Sequence, residues 1–162
     1  MKALTLTQPW AMLVAIKAKT FETRSWSTDY RGPLAIHVSK RIPPEYRRLV
    51  YWAAPEPFRS ALKDVLWFER PAKIFGVDGT ELTAPTEKLH LGCVIATCEL
   101  VQVYRTEELY RAGKFKQIGQ YELAFGDYTP GRYAWKLANV KLLPEPIPAK
   151  GSLGLWNWDG GE

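Results

Sequence analysis

Three residues near the N-terminus have the types and spacing of a reactive charged pocket. Lys19 precedes a predicted strand, and Glu22 and Arg24 share one face of that strand because successive side chains alternate between faces. Arg24 could fork onto a phosphate or a base edge, and Glu22 could accept a proton. In a dry site the pKa of Lys19 would fall, which suits a base or a nucleophile. The same spacing also fits a helix-end lysine beside a surface ion pair of little energetic value.

A second basic group surrounds a later strand and the C-terminal region. Arg31, Lys40 and Arg41 lie near the two ends of "RGPLAIHVSKR", and Lys150 precedes the glycine turn of "AKGSLGLW". Gly151 in that turn would let backbone amides approach a phosphate. Solvated basic turns have the same pattern, so these residues alone leave both interpretations open.

Several common sites are excluded. The sequence has no Gly-rich phosphate loop, no Gly-x-Ser-x-Gly elbow and no paired-histidine metal motif. Cys93 and Cys98 share one apolar run and are predicted to be reduced core residues. With only His37 and His90 besides, no zinc spacing exists. His37 is more typical of a hydrogen-bonded barrel residue than of a catalyst. We therefore expect neither a metal nor a cofactor.

The composition favours an anionic partner. The chain of 162 residues carries a formal net charge of +5 and seven tryptophans. Cations for phosphates and flat rings for stacking are what unpaired bases require. The plainer interpretation places most tryptophans in the core and assigns the charge to solubility. No signal peptide or apolar run of membrane-spanning length is evident, so we expect a cytoplasmic protein, and a monomer.

Alternating apolar and polar residues predict most of the secondary structure. Strands are predicted at "KALTLT" (2–7), "FETRSW" (21–26), "PLAIHVS" (33–39), "LGCVIATCELVQVY" (91–104), "RYAWKLANVKLL" (132–143) and "GLWNWD" (154–159). A helix is predicted from Pro9, with Thr7 or Gln8 as its cap, and a short one at "TEELYRAG" (106–113).

Residues 42–90 differ from the rest. Six prolines punctuate two helical stretches, "EYRRLVYWAA" and "FRSALKDVLWFE", and a loop-rich passage follows over 70–90. This pattern predicts a helical, Pro-rich insertion. We expect a single α+β domain over 1–162, a small, mostly antiparallel barrel flanked by helices and carrying this insertion.

The segment "LTQPWAMLVAIKAKTFETRSWSTDYRGPLAIHVSK" resembles the ASCH family, the activating-signal-cointegrator homology domains of the PUA-like superfamily. Their signature pairs Gln-Pro-Trp-Ala at a helix start with Gly-x-Lys-x-x-Glu-x-Arg-Ser-Trp, followed by Arg-Gly. The matching residues are Gln8, Pro9, Trp10, Ala11, Lys19, Glu22, Arg24, Ser25, Trp26, Arg31 and Gly32. "YAWKL" and "PIPAKGSLGLW" also resemble the end of such a domain. The family's glycine is replaced by Lys17, so we expect the helix to end by a geometry other than a left-handed turn.

The resemblance implies a PUA-like fold whose barrel mouth binds RNA or single-stranded nucleic acid. Phosphates would then meet Arg24, Arg31, Lys40, Arg41 and Lys150. Trp10 or Trp26 would stack on a base, and Gln8, Glu22 and Ser39 would offer it polar contacts. Lys19, Ser25 and Gly151 complete the expected nucleic-acid-binding set.

The resemblance also implies an alternative activity, on a nucleoside or nucleotide. Some small bacterial members hydrolyse an N-acetylated cytidine, with a lysine at the Lys19 position. In such an amidohydrolase Lys19 would activate water or form a covalent link, Glu22 would move the proton, and Arg24 would complete the catalytic set. Those members carry threonine where this chain has Glu22, and Glu122 is the candidate counterpart of their later catalytic glutamate. A third hypothesis is a protein-interaction scaffold that uses residues 42–90.

Overall fold

The computed structural model describes residues 1–50, 54–65, 73–75, 81–83, 89–111, 113 and 118–160. The strands are β1 (Lys2–Leu6), β2 (Phe21–Arg24), β3 (Gly32–Val38), β4 (Lys73–Phe75), β5 (Glu81–Thr83), β6 (Cys93–Arg105), β7 (Tyr133–Pro148) and β8 (Leu155–Asn157). The α-helices are α1 (Trp10–Ala15), α2 (Phe58–Leu62), α3 (Thr106–Arg111) and α4 (Gln120–Ala124), and a 3₁₀ helix spans Pro44–Val50.

Six strands form one mixed sheet in the order β2-β7-β6-β3-β1-β8. Within this sheet β1 and β3 pair in parallel, and the other four pairings are antiparallel. The long strands β6 and β7 shift register at three places between Val94 and Gln102. Such bulges bend a strand and increase its twist. The sheet is a half-barrel with β2 and β8 as its edges, and together with the helices it gives the α+β class that the sequence predicts.

Helix α1 packs against the sheet through five consecutive buried residues, from Ala11 to Ala15. They join Leu34, Ile36 and Val38 of β3 in the main core. The opposite face of β3 is buried too, because Ala35 packs with Ala3, Val94 and Trp158 in a second cluster. A strand covered on both faces gives the site a rigid support.

The sequence predicted the strands of this sheet and the helices α1 and α3, with shifts of up to five residues at their ends. The helical insertion predicted over 42–90 is not shown. The described part holds a 3₁₀ helix, the five residues of α2 and, within the passage predicted to be loop, the two-stranded sheet β4–β5. The rest of the predicted helices, at 51–53 and 66–69, lies outside the described residues.

The end of α1 corrects one prediction. Lys17 has a φ of 65°, so it adopts the left-handed geometry that the family's glycine would provide. The N–H of Lys17 donates to Val14 O and that of Lys19 to Leu13 O, which satisfies two carbonyls at the helix end. The hydrogen bonds at this turn and the burial of Lys19 hold Lys17 in a conformation that costs a residue with a Cβ atom about 1–2 kcal/mol. Because of this turn, the backbone of Lys19 lies against the C-terminal end of α1.

Among the described residues, no helix is long and apolar enough to cross a membrane.

Candidate functional site

A cleft of about 390 Å³ opens where β1 runs into α1 and β2 faces α4. Its lining residues are Thr5, Leu6, Thr7, Trp10, Glu22, Thr23, Arg24, Tyr46, Ala124, Phe125, Gly126, Asp127 and Arg132. The volume lies within the range of about 300–1,000 Å³ that small-molecule sites occupy. Of the predicted site residues, Trp10, Glu22 and Arg24 line this cleft.

Arg24 spans the cleft between two strands that are far apart in the sheet order. Its Nη2 donates to the carbonyl of Thr5 on β1 at 3.0 Å, and its Nε lies 3.3 Å from Glu22 Oε1. β2 and β1 are first and fifth in the sheet, so this hydrogen bond joins the two sides of the half-barrel. Glu22 is largely buried, which fixes the carboxylate that Arg24 faces. The guanidinium is therefore pre-positioned at the cleft wall.

Lys19 lies behind this pair, not in the cleft. Its side chain is 0% exposed, and its Nζ is 3.7 Å from Glu22 Oε2. Nζ makes no hydrogen bond to any residue that the structure describes. Burial lowers the pKa of Lys19, although the nearby carboxylates of Glu22 and Glu122 oppose that shift. Lys19 is therefore not part of the cleft lining, and it contacts the cleft-lining residue Glu22 from behind.

Glu122 links α4 to the start of β2 through hydrogen bonds of its carboxylate. Its Oε2 accepts hydrogen bonds from the N–H and hydroxyl of Thr20, at 2.7 and 3.0 Å, and its Oε1 accepts the N–H of Phe21 at 3.1 Å. Burial raises the pKa of Tyr128, and the negative charges of Glu122 and Glu22 raise it further. Glu122 thus positions the 124–127 segment that forms one wall of the cleft.

A second arginine–carboxylate pair lies on that wall. Arg132 Nε is 3.3 Å from Asp127 Oδ2 and also donates to the carbonyl of Asp127. Asp127 accepts hydrogen bonds from the N–H and hydroxyl of Thr129, which lower its pKa. The cleft lining therefore combines two arginines with two carboxylates, and it is not purely basic.

The aromatic part of the wall comes from Trp10, Tyr46 and Phe125. The rings of Trp10 and Tyr46 meet edge to face with 4.7 Å between their centroids, and Phe58 meets Trp10 edge to face at 6.4 Å. Trp26 lies elsewhere, since its ring packs edge to face on the buried Trp135 at 4.7 Å. Of the two predicted stacking residues, Trp10 reaches the cleft.

Three other predicted residues lie outside the cleft lining. Gln8 is fully buried; its Oε1 accepts the N–H of Met12 and its Nε2 donates to the carbonyl of His90. Its amide therefore supports the start of α1. The Arg31 guanidinium donates to the carbonyls of Thr28 and Tyr30 and to Gln102, away from the cleft. Ser25 is exposed directly after β2.

The remaining basic residues lie at the end of the sheet where the cleft opens. β1 and β3 are parallel, so Ser39 follows β3 at the same end at which Thr7 follows β1, and the N–H of Ser39 donates to Leu6 O. Lys40 and Arg41 are exposed directly beyond. The N–H of Ala149 donates to Gly92 O, which places Lys150 and Gly151 at this end as well. Exposed Arg47 and Arg48, which the sequence did not single out, lie on the 3₁₀ helix that carries Tyr46.

His37 ties the C-terminal turn to the cleft. Its Nε2 lies 3.1 Å from the carbonyl of Ala149 and its Nδ1 lies 3.2 Å from Thr5 Oγ1. Burial lowers the pKa of His37, which favours the neutral ring, and Nε2 then carries the proton because a carbonyl only accepts. Nδ1 is then an acceptor, so it competes with the carbonyl of Ser152 for the one hydroxyl proton of Thr5. Trp156 Nε1 also donates to Thr5 Oγ1, at 3.1 Å. His37 is a structural residue, as its position in the strand predicted.

Sequence reasoning missed seven polar or aromatic residues that line the cleft, some beside the predicted residues and some in distant segments. These are Thr5, Thr7, Thr23, Tyr46, Phe125, Asp127 and Arg132. The polar turn that precedes "YAWKL" carries Asp127 and Arg132, and its pattern of Asp followed two residues later by Thr was the available signal. Among the described residues, no group of three His, Cys, Asp or Glu side chains could hold a metal ion.

One of two comparisons with known proteins relates this chain to a family. Comparison with curated proteins finds no significant match. The family model of the ASCH domain matches residues 4–146, which include every residue of the cleft lining and exclude Lys150 and Gly151. The match covers most of the chain, and it contains the Lys19, Glu22 and Arg24 cluster that the sequence singled out. The chain therefore belongs to the ASCH domain family.

Proposed function

We propose that the cleft and the exposed basic residues around it bind a single-stranded segment of RNA or another nucleic acid, as a PUA-like module. One observation carries the proposal: Arg24 is fixed at the wall of a nucleotide-sized cleft, and Lys40, Arg41 and Lys150 are exposed at the same end of the sheet. Cations at a rim attract the phosphate backbone, and their effect falls with salt.

The mixed charge of the cleft suits a base better than a phosphate. Glu22 and Asp127 offer acceptors, while Arg24 and Arg132 offer donors. The edge of a base carries both donors and acceptors, and Trp10 and Tyr46 supply an apolar wall beside it. A phosphate inside the cleft would meet two carboxylates. We therefore assign the phosphates to the rim and one unpaired base to the cleft.

The test is a fluorescence-anisotropy titration with short single-stranded RNA and DNA oligonucleotides at several salt concentrations. Wild type should bind with a log-affinity slope against log salt of about −0.7 for each phosphate contact. Arg24→Gln should weaken binding about tenfold or more, because it removes a pre-positioned charged donor. Arg24→Lys should restore little, since an ammonium cannot fork between Thr5 and Glu22.

Arg59→Gln is the matched control. Arg59 is exposed and pairs with Glu56 at 3.0 Å, outside the cleft, so the variant removes the same charge and leaves the site intact. Its affinity should match that of wild type apart from a small general charge effect. Absence of wild-type binding at low salt, or equal losses in Arg24→Gln and Arg59→Gln, would contradict the proposal.

A second candidate is an amidohydrolase that acts on an N-acylated cytidine or a related modified nucleoside. The observation in its favour is the buried Lys19 with its lowered pKa between two carboxylates. Because Glu22 stands between Nζ and the cleft, Glu22 would be the group that takes a proton from water, and Lys19 would act through its charge. Chromatography of N-acetylcytidine incubated with wild type and Glu22→Gln tests this. Turnover that Glu22→Gln loses would favour the enzyme over the binding module.

A further inference from the structure

The turn between β7 and β8 is held by contacts at Ala149, Gly151 and Ser152. The carbonyl of Ala149 bonds His37, and the carbonyl of Ser152 accepts the hydroxyl of Thr5 at 3.0 Å. Gly151 lies so close to His37 that a Cβ atom at this position would be 2.3 Å from the ring's Cε1. Beyond the turn, Leu155 pairs with Leu4 of β1. The backbone from 149 to 155 is therefore immobilised against the wall of the cleft.

Leu153 lies in this turn and is 96% exposed. A single exposed leucine is ordinary on a protein surface. Leu153 differs because it directly follows Ser152, whose carbonyl bonds the cleft-lining Thr5, and because Lys150 is exposed three residues before it. The turn thus carries an apolar residue, Leu153, and a cation, Lys150, next to the part of the cleft wall formed by Thr5.

We propose that Leu153 is a contact for the base next to the one in the cleft, and that Lys150 meets the phosphate between them. This inference rests on the proposed function and adds a second base position to it. A base offers an apolar face that buries a leucine whatever its sequence, and the neighbouring charge of Lys150 selects a partner with phosphates rather than a neutral apolar one. Because Gly151 and Ser152 fix the backbone, the contact requires little ordering of the protein on binding.

The experiment compares Leu153→Ala with Leu142→Ala. Leu142 is a leucine of β7 that is 57% exposed and outside the cleft lining, so the two variants lose the same atoms from exposed positions. Oligonucleotides carrying 2-aminopurine at successive positions report where a base changes its stacking. Leu153→Ala should weaken binding about fivefold to tenfold, with an unchanged salt slope, and should alter the fluorescence at one position. Leu142→Ala should leave both unchanged.

Lys150→Gln separates the two contacts within the same turn. It should reduce the salt slope by about 0.7 and leave the 2-aminopurine signal in place. Wild-type binding with an unchanged affinity in Leu153→Ala would overturn this inference and leave the proposed function standing. No binding by wild type would overturn both. Binding of wild type to anionic lipid vesicles that Leu153→Ala abolishes, with oligonucleotide affinity unchanged, would instead assign the turn to a membrane surface and overturn the inference.

Discussion

Lys19 and Glu22 form a buried ion pair at the back of the cleft, with 3.7 Å between Nζ and Oε2. The other carboxylate oxygen of Glu22 faces Arg24 at 3.3 Å, so one carboxylate links the buried lysine to the arginine of the cleft wall. A buried charge is tolerated when it is paired, and removal of one partner leaves the other uncompensated. The relationship makes Lys19 a residue that positions Glu22 and Arg24.

Lys19→Met should change how the free energy of unfolding varies with pH in the alkaline range. Burial lowers the pKa of Lys19 from its ordinary value of 10.5, so the folded chain releases this proton at a lower pH than the unfolded chain. Between the two pKa values the unfolded chain binds more protons, and the free energy of unfolding therefore rises with pH. Lys19→Met removes this rise. Urea unfolding of both proteins from pH 7 to 10 measures it.

The comparison must use the difference between the two proteins. Burial raises the pKa of Cys98 to about 12 and also raises that of Tyr128, and both shifts make stability fall as the pH rises above 9 to 10. Both groups are present in both proteins, so their contributions cancel in the difference. The free energy of unfolding of wild type minus that of Lys19→Met should increase with pH. The increase is up to about 1.4 kcal/mol for each pH unit between the folded and unfolded pKa values of Lys19. A constant difference from pH 7 to 10 would contradict the assignment.

Lys17→Gly should stabilise the protein by about 1 kcal/mol, because φ is 65° at this position and glycine adopts it without strain. Thermal or urea unfolding measures the gain. Lys136→Gly is the control: Lys136 is exposed within β7 and has no positive φ, so glycine there should cost about 0.5–1 kcal/mol. Equal effects of the two variants would show that the left-handed turn carries no strain.

Glu122→Gln should destabilise the protein by about 1–3 kcal/mol. The glutamine has one acceptor oxygen where the carboxylate serves the two backbone N–H groups of Thr20 and Phe21, so its amide nitrogen meets a donor. Hydrogen exchange of the Phe21 amide should accelerate as well. The exposed Glu145→Gln should stay within about 0.5 kcal/mol of wild type. If Glu122→Gln changes stability as little as Glu145→Gln, Glu122 does not hold α4 against β2.

Gly151→Ala should destabilise the protein by about 1–3 kcal/mol, since the added methyl would lie within 3 Å of His37 and of Thr5 Oγ1. Gly119→Ala has a φ of −55° and no heavy atom near the added methyl, and it should change stability by less than about 0.5 kcal/mol. Urea unfolding compares the two. If Gly151→Ala is as stable as Gly119→Ala, the turn is not held against His37.

The sequence determined the local elements and the family. Period-two patterns marked the strands because a half-buried strand alternates its side chains. The spacing of Glu22 and Arg24 placed them on one strand face, and both line the cleft. These properties depend on neighbouring residues, so a single sequence carries them.

The tertiary structure decided what faces the cleft. Lys19 is only three residues from Glu22, yet the left-handed turn at Lys17 directs it behind the carboxylate. Asp127 and Arg132 join the cleft from a segment about a hundred residues away, which Glu122 fastens to β2. Gln8 matches the family motif, but its side-chain oxygen accepts the N–H of Met12 at the start of α1. Spacing along the chain determines which side chains share an element, whereas long-range packing determines which of them meet and which of them reach solvent.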